Sequence, residues 1–124
     1  MNFINTTTSY ILLQKTLKRK INFSGVGVHS GRAVSMSIEP AEIDTGIVFK
    51  RTDLEKNNVI KAVINNVVDS RLCTKIKNSS GIYVSTIEHL MAAFSALGID
   101  NAIVKINSSE LPALDGSSNE YVKK

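Results

Sequence analysis

Four stretches of the chain carry side chains with chemical potential. The first is Glu88-His89. A carboxylate beside an imidazole suits metal-assisted hydrolysis, in which the His holds Zn²⁺ and the Glu takes a proton from the bound water. The same pair has a structural reading. Ser85-Thr86-Ile87-Glu88 fits a capping box with Ser85 at the N-cap and Glu88 at N3, which is worth on the order of 1 kcal/mol. The second stretch, Gly25-Val26-Gly27-Val28-His29-Ser30-Gly31, surrounds the other His with glycines that permit a tight bend and close backbone approach to a ligand. It lacks the Gly-Lys-Ser/Thr ending of a phosphate loop and reads equally as a β-turn that holds a His. The third, Arg71-Leu72-Cys73-Thr74, contains the lone cysteine. As a nucleophile Cys73 would need a nearby base; among β residues it also reads as a small buried hydrophobe. The fourth, Leu111 to Ser117, is a loop leading into a helix cap. His29, Cys73 and His89 are also of types that could bind zinc together, but nothing in their spacing brings them together.

The elements that would position these residues are legible from periodicity. Ile87, Leu90, Met91, Phe94 and Leu97 recur at helical spacing, and Gly98 with Ile99 supplies a C-terminal stop. On the helical wheel His89, Ala92, Ala93 and Ala96 fall away from that stripe. A solvated face is usually charged, so this helix is expected to be covered on both sides. Strands are expected at 15–23, running into the Gly25/Gly27 bend, and at 32–39, where Val34, Met36 and Ile38 alternate with Ala33, Ser35 and Ser37. Further strands are expected at 46–51, 59–64 and 101–107. Residues 70–77 and 81–85 form a hairpin with Asn78-Ser79-Ser80-Gly81 as its turn. A second capping box, Ser117 to Glu120, opens a helix at Tyr121 that the chain leaves within about two turns, short of the roughly 12–15 residues an isolated helix needs.

The totals narrow the class. The chain has 124 residues, 43% hydrophobic and 21% charged, and a formal charge of +4. That describes an ordinary globular domain with a modest core and a mild preference for anions. The basic run Lys15, Lys18, Arg19, Lys20 has no interleaved aromatics, so it reads as a solvated surface rather than an RNA contact. One cysteine allows no intrachain disulfide and suits a reducing compartment. No apolar run reaches the roughly 18 residues of a membrane span. Residues 1–13 make a poor signal peptide and read as a poorly ordered extension or an early start codon.

Taken in order, KTLKRKINFSGVGVHSG, GIVFKRTD, RLCT, STIEHLMAAFSALGIDNAIVKIN and ELPALDGSS resemble one family at every step. That family is UDP-3-O-acyl-N-acetylglucosamine deacetylase, a zinc hydrolase of bacterial lipid A synthesis, and the resemblance runs from about Gln14 to Val122. The fold expected is α+β: a two-layer α/β sandwich, with helices on one face of a sheet. By the resemblance it is one domain, residues 14–124, of a normally two-domain fold with the active site at the domain interface. The resemblance implies that His89 is a zinc ligand and Glu88 the general base. It implies that His29 lies near the site, and that Leu72 and Cys73 line the approach of the substrate's acyl chain. The reaction would be attack of water on the acetamide carbonyl of UDP-3-O-(3-hydroxyacyl)-GlcNAc, releasing acetate. The enzyme would be cytoplasmic, with no membrane anchor and with peripheral contact at the inner membrane of a Gram-negative bacterium left open.

The sequence departs from the family pattern in one respect. The family completes its zinc site with a His and an Asp from a His-Lys-x-x-x-Asp helix of the second domain, and a further His there serves as general acid. This chain has only His29 and His89. A catalytic zinc wants three protein ligands, so the chain alone is expected to be inactive or nearly so. A separately made second domain is the partner this implies, and a non-catalytic remnant or binding module of the same fold is the alternative.

Overall fold

The computed structural model describes residues 14–68 and 73–113. The expected extension at 1–13, Leu72, and the second capping box lie outside them.

Among the described residues, nine strands and one α-helix follow the apolar periodicity. The strands are β1 (Ile21–Gly27), β2 (Ala33–Pro40), β3 (Ile47–Arg51), β4 (Val59–Lys61), β5 (Val67–Val68), β6 (Lys75–Lys77), β7 (Tyr83–Ser85), β8 (Ala102–Ile106) and β9 (Pro112–Ala113); the helix, α1, spans Glu88–Leu97. Six strands form one sheet in the order β4-β3-β8-β2-β1-β9, and β5-β6-β7 form a second. All pairs are antiparallel except β3 with β8. A parallel bridge between Ser85 and Glu110 joins the small sheet to the segment before β9.

Alternation decides which face is buried. Val34, Met36 and Ile38 of β2 and Ala102, Val104 and Ile106 of β8 point inward with Phe23, Phe49 and Ile60. Ile87, Leu90, Ala93 and Phe94 of the helix and Ile76 and Val84 of the small sheet complete one apolar cluster. Burying a side chain of this size stabilises the fold by about 1.5–3 kcal/mol, so this cluster holds helix and sheets in register. The α+β class and the sheet-plus-helix arrangement stand as expected; the second, three-stranded sheet is an addition.

Several boundaries differ from the sequence reading. The first strand begins at Ile21, not at 15. Residues 14–20 instead clip onto the end of the helix: the Lys15 carbonyl accepts from the amides of Asp100 and Asn101, and Thr16 Oγ1 donates to the Asn101 carbonyl at 2.6 Å. Strand β4 stops at Lys61, and a 3₁₀ turn follows at Ile64–Asn66. There the Asn66 side chain donates to the Lys61 carbonyl at 2.8 Å, a local bond that competes with strand pairing. The hairpin turn holds, with Gly81 at φ 85° and its amide donating to the Asn78 carbonyl.

The helix is capped differently at its two ends. Gly98 adopts the left-handed conformation, and the Ile99 amide donates to the Phe94 carbonyl, as the stop signal implies. The capping box does not form. Ser85 is a β7 residue whose amide and hydroxyl both donate to the Ser109 carbonyl, so sheet pairing outcompetes the cap. Ile87 occupies the N-cap position without a side-chain bond. The Thr74 carbonyl serves in its place, accepting from the amides of Thr86 and Ile87. Ala93 joins the core rather than the far face, while Ala92 and Ala96 are exposed and His89 is half-buried. Among the described residues the helix is covered on one side only.

Candidate functional site

The loss of the capping box releases Glu88 from the role that competed with chemistry. Its Oε1 accepts from the Thr74 amide at 3.3 Å, and no other hydrogen bond reaches the carboxylate among the described residues. His89 makes no hydrogen bond to another described residue. Both therefore stand half-buried in the first helical turn, where the helix dipole favours negative charge, with lone pairs open to a ligand. Thr74 is the hinge of this end: its carbonyl caps the helix, its amide holds Glu88, and Cys73 precedes it, half-buried.

The glycine-rich turn is brought to the same end by a residue that the sequence reading left without a role. Glu110 is 2% exposed. Its carboxylate accepts from the His29 amide at 3.0 Å, from His29 Nδ1 at 2.8 Å, from the Ser30 amide at 3.0 Å and from the Thr86 hydroxyl at 3.1 Å. Gly27 leaves room for this approach, since a Cβ there would collide with the Glu110 carboxylate and lie 2.6 Å from Ser30 Oγ. Burial alone would raise the Glu110 pKa. The amides of His29 and Ser30 and the hydroxyls of Ser30 and Thr86, all donating to the charged form, outweigh it and hold the carboxyl below its ordinary value. Thr86 is the joint between the two groups. It sits two residues before Glu88, and its φ of 62° is a strained conformation for a β-branched residue.

A run of contacts thus connects four of the five residues singled out in the sequence. Glu88 bonds Thr74, the neighbour of Cys73; Thr74 bonds Thr86; Thr86 bonds Glu110; and Glu110 grips His29. His89 lies beside Glu88. The sequence held a signal for Glu110: it is an acid set between two serines and Leu-Pro, directly ahead of the loop motif.

Comparison with known proteins identifies the family of the chain. The family model of UDP-3-O-acyl N-acetylglycosamine deacetylase matches residues 14–124. The proteins named UDP-3-O-acyl-N-acetylglucosamine deacetylase from Shewanella sediminis and Pseudoalteromonas atlantica are each 45% identical over 112 residues, covering 90% of this chain and 37% of theirs. The one from Tolumonas auensis is 44% identical over 112 residues, covering 90% of this chain and 36% of its own.

The chain belongs to the UDP-3-O-acyl-N-acetylglucosamine deacetylase family.

It spans about 37% of the length of the curated relatives it matches. A test of the zinc expected in this deacetylase family rests on the donors at hand. A catalytic zinc takes three protein ligands and keeps a fourth position open. Among the described residues no three of His, Cys, Asp and Glu come together in a set that could hold a metal. The grouping of His29, Cys73 and His89 is therefore not formed. The ring of His29 is instead engaged by Glu110, and His89 belongs to no such set among the described residues. The described residues do not complete a zinc site.

The other motifs of the deacetylase family serve the frame. Arg51, from GIVFKRTD, forks onto Asp53 at 2.6 and 3.0 Å and donates to the Tyr83 carbonyl at 3.2 Å, tying β3 to β7. The Arg51 hydrogen bond, against a smaller effect of burial, holds the Asp53 carboxyl below its ordinary value. Asn101, from GIDNA, is 3% exposed and accepts from the Gly46 amide at 2.8 Å. Among the described residues no helix is long and apolar enough to cross a membrane.

Proposed function

We propose that this chain supplies one part of the active site of a zinc-dependent deacetylase that removes acetate from UDP-3-O-(3-hydroxyacyl)-N-acetylglucosamine in lipid A synthesis. The observation that carries this is the open Glu88-His89 pair in the first turn of α1, in a chain of this family. His89 would be one ligand of Zn²⁺, and the ion, when bound, would polarise the acetamide carbonyl and acidify a water. Glu88 would receive the proton of that water on its unengaged oxygen, while the Thr74 amide fixes the other. His29, Leu72 and Cys73 would contact substrate, the last two along its acyl chain.

The remaining ligands would come from a second domain seated against the exposed face of Ala92 and Ala96. Small side chains permit close approach there, and no charge on them has to be desolvated. On this reading the isolated chain does not turn over substrate. The enzyme would work in the cytoplasm, meeting its amphiphilic substrate at the inner membrane.

The test is to replace the matching 112 residues of the Shewanella sediminis relative with those of this chain and to measure acetate release from the UDP-sugar substrate. Zinc-dependent release by the folded chimera, with none from the chain alone, is the expected result. A folded, zinc-loaded chimera without activity would refute the assignment.

A further inference from the structure

We propose that Glu110 is the positioning residue of His29: its carboxylate fixes the ring in the Nδ1–H tautomer and leaves Nε2 as the nitrogen that can meet a ligand. Three observations support this. The Nδ1 to Oε2 distance is 2.8 Å, and an ionised carboxylate can only accept, so the hydrogen must sit on Nδ1. The Glu110 side chain is 3% exposed while that of His29 is 39% exposed, so water does not compete at the carboxylate yet reaches the ring. The same carboxylate also holds the His29 amide at 3.0 Å and the Ser30 amide at 3.0 Å, so ring and backbone are gripped together.

The imposed tautomer is the less favoured one for an unconstrained neutral imidazole in water, which carries its hydrogen on Nε2. A bond made by one ring nitrogen thereby decides what the other can do. With Nδ1–H committed to Glu110, the neutral ring offers Nε2 as an acceptor, suited to a hydroxyl or amide hydrogen of a ligand. The opposite tautomer would offer a donor and would reject that group. Glutamine cannot reproduce the clamp. Whichever way its amide turned, the NH₂ would face either the Ser30 amide or the His29 amide, donor against donor. In the place of Oε1 the NH₂ would face both backbone amides, and in the place of Oε2 only that of His29; the second orientation is therefore favoured, Nδ1 becomes the acceptor and the hydrogen moves to Nε2.

The functional consequence rests on the deacetylase reading, but the tautomer does not, so the two can fail separately. The chain has two histidines, so His89→Ala leaves His29 as the sole ring signal. Long-range ¹H–¹⁵N correlation spectra of that full-length variant, recorded at a pH where the ring is neutral, assign the hydrogen. The expected pattern is Nδ1–H dominant, reversed to Nε2–H dominant by adding Glu110→Gln. A purely structural Glu110 would change stability without reversing the tautomer. Nε2–H as the main form before Glu110 is changed, or a tautomer unmoved by Glu110→Gln, overturns the proposal. Should Glu110→Gln not fold, the spectrum with Glu110 intact still decides. Thr86→Val provides a second check: it removes a different donor from Glu110, and Nδ1–H must survive it.

Discussion

The Thr86 hydroxyl donates to the Glu110 carboxylate at 3.1 Å, and this bond ties the start of the Glu88-His89 helix to the turn that carries His29. Thr86 holds φ at 62° to do so. Strain of this kind persists only where surrounding bonds over-determine it, and here the Thr74 carbonyl and the Glu110 carboxylate supply those bonds.

Thr86→Val keeps the shape and removes the hydroxyl. A hydrogen bond to a charged acceptor contributes about 1.5–3 kcal/mol, so a loss of that order is expected. It would be read as a lower urea midpoint with an unchanged slope. An unchanged midpoint would mean that Thr86 does not join the two loops.

Gly27→Ala tests space rather than backbone freedom, because Gly27 is not among the glycines with positive φ. Its Cβ would collide with the Glu110 carboxylate. Overpacking of this kind costs about 1–3 kcal/mol, and the His29 ring signals should shift with it. Full stability together with an undisturbed His29 spectrum would show that the carboxylate does not sit against the turn.

Acid should weaken the fold through Glu110. Its folded pKa is depressed below the ordinary 4.5, so the unfolded chain takes up the proton first as pH falls. The stabilisation is therefore present above about pH 4.5 and is lost as pH drops through the folded value. Asp53, depressed from 3.8 by Arg51, acts in the same direction at lower pH. A folded Glu110→Gln variant should show a flatter stability profile below pH 4.5, measured by denaturant unfolding at each pH. A profile as steep as that of the unsubstituted chain would assign the acid sensitivity elsewhere.

Zinc should be retained poorly by the chain alone. After dialysis, metal analysis is expected to find well under one zinc per chain, with little further loss in His89→Ala. Stoichiometric zinc that disappears in His89→Ala would mean that other residues of this chain, or of a second copy, complete the site.

The sequence revealed the parts better than their joints. The alternation in β2 and the heptad-like spacing of α1 follow from which residues must leave water, and both were legible. The end of α1 was legible too, because only glycine readily takes the conformation of Gly98. The start of α1 was not. Ser85-Thr86-Ile87-Glu88 satisfies a local capping rule, but Ser85 pairs with distant Ser109 and Glu110, and a tertiary contact of that kind leaves no local pattern. Strand 15–23 was misjudged for a related reason: Lys15 and Thr16 find partners at Asp100 and Asn101, far along the chain. At the site, residue type and motif order singled out Glu88, His89, His29 and Cys73. Glu110 escaped notice because its role depends on five donors that come from two distant segments, His29-Ser30 and Thr86.

The central claim, that Glu88 is the base and His89 a ligand of one metal centre, is tested most directly by acetate release from the chimera carrying Glu88→Gln. General-base catalysis contributes roughly 10²–10⁴-fold, so a loss of that size with zinc still bound is the predicted result. A Glu88→Gln chimera that hydrolyses the UDP-sugar at the parental rate would contradict the account.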